Sequence, residues 1–162
     1  MDFIKPRIES QLNKFSIDQT GFVCDFQELQ EESKQTENEN YLTKHGYFDQ
    51  LTVNDYMPGQ GIPPHVDTHS PFQEILASIG LKSGVTMHFR NPEGVTTDLY
   101  LEPRSLVVMS GEARYNWLHS IAMRKIDRLD GLLKFRHRRV SLTFRKLKTT
   151  QCTCKWSSLC DS

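Results

Sequence analysis

Asn54-Asp55-Tyr56-Met57-Pro58-Gly59-Gln60-Gly61-Ile62-Pro63-Pro64-His65-Val66-Asp67-Thr68-His69 reads as a short strand, a Pro/Gly turn and a second strand carrying His-x-Asp. Side chains of an extended chain alternate between faces, so His65 and Asp67 are expected to point the same way. Two ligands on one face suit one edge of a metal ion. A His with an Asp favours a borderline or hard divalent ion, and one further His completes a two-His-one-carboxylate facial triad. His-x-Asp alone is a weak signal, and its meaning depends on the partners downstream.

Outward from this stretch, the chain is punctuated as a β protein. Leu51 to Tyr56 alternates apolar and polar residues, and Asn54 and Tyr56 share a face that leads into the turn before His65. Ile75, Ala77, Ile79 and Leu81 alternate up to a break at Lys82-Ser83-Gly84. Val85–Phe89, Leu99–Leu101 and Leu106–Met109 are further strand candidates, Gly111-Glu112 a turn, and Trp117–Ile121 a return into the core around His119. Short strands at near-regular spacing with Gly/Pro turns predict a β-sandwich or double-sheet jelly roll. The last strand, Arg139-Val140-Ser141-Leu142-Thr143-Phe144-Arg145, alternates most clearly, with Arg139 and Arg145 on its polar face. Their Cα atoms would lie roughly 20 Å apart, and by leaning together the side chains could hold a small dicarboxylate at both ends. The plainer alternative is an edge strand with a charged outer face.

The 162 residues fit one domain by size, with 20 basic and 20 acidic residues in balance. No apolar run is a signal peptide or a membrane span, which predicts an intracellular protein, cytoplasmic or nuclear, without a membrane partner. Its four cysteines are then expected as thiols or metal ligands. Ahead of residue 47, Ile4, Ile8, Leu12 and Phe15 mark an amphipathic helix over 7–16. Residues 22–26 could form a short strand with Cys24 as a core residue, and 27–40 is an acidic, solvated stretch. Residues 1–46 are thus expected as a helical and acidic extension.

His65-x-Asp67, His119 and Arg139…Arg145, preceded by Asn54-x-Tyr56, together resemble the AlkB family of Fe(II)/2-oxoglutarate dioxygenases. The phrases Pro58–Pro63, His65–His69, Arg104–Tyr115 and Thr143–Lys146 are similar to its eighth homologue, the branch that hydroxylates a modified wobble uridine in tRNA. The resemblance spans roughly 47–160. It implies a mainly β, double-stranded β-helix (jelly-roll) core over 47–148, with Fe(II) bound by His65, Asp67 and His119. It further implies Arg139 on the distal carboxylate of 2-oxoglutarate, with Asn54, Tyr56 and Arg145 holding the rest of that co-substrate. Three protein ligands leave three positions on iron, two for the 2-oxo acid and one for dioxygen.

The tail 149–162 carries Cys152, Cys154 and Cys160. Three thiolates need one more donor for tetrahedral zinc, and His69 is the candidate; the tRNA-modifying branch has a His and three Cys at matching places. Residues 124–148 hold ten basic and two acidic residues, a net +8, which suits phosphate contacts to a tRNA. His45, His88 and His137 have no comparable partner set.

Some features depart from the relatives. No substrate-recognition lid can be aligned with the first 46 residues, and the segment between His119 and Arg139 is short. A methyltransferase or RNA-recognition partner acting in trans would make up the difference. The expected function is hydroxylation of a modified tRNA uridine. The alternatives are oxidative demethylation of alkylated nucleic-acid bases, or a catalytically idle RNA-binding scaffold.

Overall fold

A computed structural model describes residues 48–162. The helix expected over 7–16, the strand at 22–26 with Cys24, the acidic stretch 27–40 and His45 lie outside the described residues. The described strands are β1 (Gln50–Tyr56), β2 (Ile62–His65), β3 (Leu76–Leu81), β4 (Val85–Arg90) and β5 (Thr96–Leu101). They continue with β6 (Leu106–Met109), β7 (Leu118–Ile121), β8 (Ile126–Leu129), β9 (Leu132–Phe135) and β10 (Arg139–Arg145). A short helix, α1 (Gly111–Tyr115), stands where the sequence suggested only a turn, and Ser157–Leu159 forms one 3-10 turn. No helix among the described residues is long and apolar enough to cross a membrane.

Two antiparallel sheets face each other, in the orders β1-β10-β3-β6 and β2-β7-β4-β5. With the separate β8–β9 hairpin set aside, β10 is the eighth strand and the orders become 1-8-3-6 and 2-7-4-5. That interleaving is the double-stranded β-helix, a jelly roll.

Alternation along the strands sorts the side chains into two apolar clusters. Leu76, Val107 and Met109 of the first sheet meet Val85, Met87, Phe89, Leu101 and Ile121 of the second, forming the core between the sheets. Their neighbours Ala77, Ile79, Leu106 and Phe144 point the other way and pack with Phe48 on the outer face.

The interior is not apolar throughout. β1 pairs with β10 so that Gln50 meets Arg145, Thr52 meets Thr143, Asn54 meets Ser141 and Tyr56 meets Arg139. Directly paired residues share a face, and across β3 this face continues through Ser78 and Gly80 to Leu76, which lies in the core. The polar face of β10 therefore points inward, and Arg139, Ser141 and Thr143 are all buried. The edge-strand alternative fails: β10 lies between β1 and β3.

Candidate active site and metal cluster

β2 ends at His65, and β7 runs beside it with His119 directly opposite. The two imidazoles lie with ring centroids 4.3 Å apart. His65 Nδ1 donates to the Pro63 carbonyl at 2.8 Å, which leaves the Nε2 lone pair free to ligate a metal. His119 is buried; that burial and the neighbouring His65 push its imidazole down to about 4, so it is neutral at physiological pH. The His119 ring is thus in the form a metal requires.

Asp67 lies beyond the end of β2, so strand alternation does not position it. Its carboxylate accepts from Arg145 Nη2 at 2.8 Å. Its backbone is fixed by Arg114, which is buried on α1 and donates through Nη1 to the Asp67 carbonyl at 2.5 Å and through Nη2 to the Thr68 carbonyl at 2.7 Å. His119 feels the Asp67 charge, but the three donors are not drawn into one tight cluster, because the carboxylate is turned to Arg145. Nothing in the sequence marked Arg114 for this role beyond its being a basic residue between Ala113 and Tyr115, in a segment whose flanks are apolar.

Arg139 and Arg145 do not lean together. Arg145 bonds Thr52 Oγ1 at 2.9 Å as well as Asp67, and its guanidinium lies over the Phe72 ring. Arg139 lies at the other end of β10, 5% exposed, with its guanidinium 5.9 Å from the Tyr56 ring centre. That guanidinium makes no ion pair or hydrogen bond with the described residues. It lines a small open cavity together with Tyr56, Gln60, Val85, Ile121 and Arg136. Gly80 makes room for it: a Cβ there would sit 3.2 Å from Arg139 Nη2. Burial raises the Tyr56 phenol, partly offset by Arg139, so its hydroxyl stays protonated and can donate. A buried cation and a protonated phenol on one cavity wall form a receptor for an anion. Asn54 shares the Tyr56 face of β1 and is half-buried.

The second constellation is compact. The donor atoms of His69, Cys152, Cys154 and Cys160 all lie within 4.8 Å of one another, the one such group of three or more among the described residues. His69 is fully buried, and its Nε2 has no hydrogen-bond partner, while Nδ1 lies 3.4 Å from Cys154 Sγ. One imidazole nitrogen gathered with three thiols is the donor set of a metal site. Burial and the Arg114 guanidinium hold the His69 imidazole below its usual value, with Asp161 opposing. Asp161, which the sequence reading passed over, accepts from the His69 and Ser70 backbone N–H groups at 2.8 and 3.0 Å and from the Ser70 hydroxyl. Trp156 stacks on Tyr115, whose edge meets the His69 ring.

The basic segment differs from the expectation of a cationic face. Arg136 is buried and clamps Asp127 through two bonds of 2.6 Å, with Arg124 on the same carboxylate. Arg138 pairs with Asp55, and Lys146 with Asp49. Three acids from outside the segment, Asp49, Asp55 and Asp67, therefore offset three of its eight net positive charges, while Asp127 draws Arg124 and Arg136 together within it.

The whole region has relatives. The model of the 2OG-Fe(II) oxygenase superfamily matches residues 10–145. The mouse tRNA (carboxymethyluridine(34)-5-O)-methyltransferase ALKBH8 is 44% identical over 140 residues, covering 74% of this chain and 21% of that protein. The Alkylated DNA repair protein ALKBH8 homolog of Arabidopsis thaliana is 42% identical over 134 residues, 71% of this chain and 39% of that protein. The chain thus spans about a fifth to two fifths of these relatives. Among solved structures, a Pseudomonas putida prolyl-4-hydroxylase is 19% identical with a TM-score of 0.43, covering 68% of this chain and 61% of that one. The fold assignment rests on the strand order, not on that match. The chain belongs to the 2OG-Fe(II) oxygenase superfamily, as an AlkB-family oxygenase domain close to the ALKBH8 proteins.

Proposed function

We propose that this domain hydroxylates a modified wobble uridine in tRNA, using Fe(II) held by His65, Asp67 and His119 and 2-oxoglutarate held by Arg139, Tyr56, Asn54 and Arg145. The observation that carries the reading is the Arg139 guanidinium, buried without a carboxylate partner in a cavity beside a protonated phenol. When bound, iron would activate dioxygen with 2-oxoglutarate as the two-electron reductant, one oxygen atom ending in succinate as CO2 leaves and the other in the hydroxylated C–H bond. The chain's own part is positional. Arg139 and Tyr56 grip the distal carboxylate, the polar row of β1 and β10 solvates the rest of the acid, and the apolar wall at Val85 and Ile121 limits water. Arg145 holds the Asp67 carboxylate in the absence of metal, and that carboxylate would turn toward His65 and His119 to ligate iron. The wobble position is supported by the mouse relative's name, which specifies carboxymethyluridine 34 of tRNA. We further propose that His69, Cys152, Cys154 and Cys160 hold a structural zinc.

Anaerobic loading with Fe(II) and 2-oxoglutarate, then oxygen, tests this against a panel of tRNAs. Succinate should form, and should rise with tRNA carrying the modified uridine. Arg139→Gln should raise the 2-oxoglutarate KM by at least tenfold, since a charge-assisted bidentate contact is lost. Formaldehyde release from methylated bases, without a hydroxylated uridine, would replace this reading with demethylation. A parent-like Asp67→Ala protein would end the iron assignment.

A further inference from the structure

After the internal pairs are accounted for, the segment 124–148 retains Lys125, Arg128, Lys134, Arg139 and Lys148 without an ion pair among the described residues, and the first three sit on or against the β8–β9 hairpin. In the hairpin register Ile126 faces Phe135 and Arg128 faces Leu133, so these four side chains share one side. All four are exposed, Phe135 at 65% and Leu133 at 55%. The opposite side faces the body of the protein, where Asp127 is buried and Lys134 lies over the Tyr100 ring.

The hairpin is rigidly set. Asp127 accepts from the Thr86 N–H of β4 at 3.1 Å as well as from Arg136 and Arg124, and Arg136 Nη1 closes on the Ala122 carbonyl at 2.6 Å. Its base adjoins the candidate co-substrate cavity: Arg136 and His137, just after β9, line it, and Lys125 packs against the turn at Gly59, next to the cavity residues Met57 and Gln60. An isolated two-stranded ribbon gains nothing by exposing an aromatic and three aliphatics to water unless they are covered by a ligand.

We infer that the outward face of the β8–β9 hairpin is an RNA-gripping arm, on which Phe135 stacks an unpaired base while Arg128 and Lys125 take phosphates of the same strand. The inference rests on the tRNA reading above and gives that substrate a location. An aromatic flanked by unpaired cations is the composition of single-strand binding surfaces, where bases supply π-faces and the backbone supplies charge. Sequence selectivity from such a face is low, because every base can stack.

The test uses the full chain, a fluorescein-labelled single-stranded RNA oligonucleotide and a tRNA transcript. Phe135→Ala and Arg128→Glu should each weaken binding of both probes about tenfold. Arg90→Glu, the same charge change on the exposed end of β4, should leave it unaltered. Arg128→Ala should make log K fall less steeply with log salt, by about 0.7. Thermal unfolding and 2-oxoglutarate decarboxylation without RNA should match the parent in every variant. If tRNA stimulates succinate formation yet Phe135→Ala and Arg128→Glu bind like the parent, the arm is wrong and the tRNA reading stands. If the parent binds neither probe at low salt and tRNA does not stimulate it, both fall. A self-association of the parent that Phe135→Ala abolishes while RNA binding persists would assign the face to protein contact instead and overturn the inference.

Discussion

Arg114 shows how much of this site depends on one side chain that ligates nothing. Its two terminal nitrogens hold the carbonyls of Asp67 and Thr68, the peptide run between the candidate iron carboxylate and the buried His69. β2 has ended by then, so no sheet ladder fixes this run, and the guanidinium takes over that role. Arg114→Met should leave two carbonyls without their donor and destabilise the metal-free protein by about 1–3 kcal/mol, read by urea denaturation. Arg114→Lys keeps the charge but not the two-pronged geometry. It should fold, yet bind Mn(II), as a spectroscopic substitute for iron, at least several-fold more weakly than the parent. Equal Mn(II) affinity in the lysine variant would show that the fork does not place Asp67. The candidate metal ligands could be picked out by residue type and order, since ligand chemistry restricts which side chains can serve, and the structure gathers His69 with the three cysteines and sets His65 opposite His119. Arg114 was not, because bonding to a carbonyl places no restriction on sequence that spacing could reveal.

At the scale of elements, β10 and the β8–β9 hairpin fell on opposite sides of what a pattern can show. β10 was legible to the residue because strict alternation with one polar face has a period of two. Its position inside a sheet was not, since a polar face normally signals solvent and here it points into the interior. The hairpin was missed although Leu129-Asp130-Gly131-Leu132 carries the Asp-Gly signal for a two-residue turn, with both central residues at positive φ, 50° and 79°. The surrounding charges were read as one cationic surface, when Asp127 in fact gathers two of the arginines inward. Burial opposes ionisation of Asp127, but the Arg136, Thr86 and Arg124 hydrogen bonds prevail and hold its carboxyl at about 2. Its folded value is below the ordinary 3.8, so the stability it contributes is complete above that value and is lost as pH falls toward 2. That linkage amounts to roughly 2 kcal/mol. Asp127→Asn should cost about 3 kcal/mol at pH 7, because Arg136 is left buried without its anion, and the gap from the parent should narrow as pH falls from 4 to 2. A gap that stays constant across that range in urea titrations would mean the pair does not titrate as described.

Over the whole molecule, the proposed iron site and the His69/Cys cluster are joined by one short piece of chain, residues 65–69, with candidate iron donors at one end and a tail-binding histidine at the other. The jelly roll needs no tail to close, since its eight strands pair without one. Residues 152–161 are instead held by side chains: the His69/Cys cluster, the Asp161 bonds to His69 and Ser70, and Trp156 stacked on Tyr115. Two of these three ties end on the 69–70 backbone or on the His69 ring, so anchoring the tail also braces the segment that carries Asp67. Elemental analysis of protein purified without chelator should give about one zinc per chain. Removing it should free three thiols and one imidazole while leaving the sheets intact, because the cluster lies outside both cores. Trypsin reports the difference. Lys155 is exposed between Cys154 and Trp156, and cleavage after it should be slow with zinc and fast without, while the fragment covering residues 48–148 stays protected. Asp161→Ala in zinc-loaded protein should speed the same cut by a smaller factor, since one of the three ties is lost. The chelated protein should also bind Mn(II) more weakly through the shared 65–69 segment. A tail equally resistant with and without zinc, or an unchanged Mn(II) affinity after its removal, would separate the two sites and leave the cluster as a tether for the tail alone.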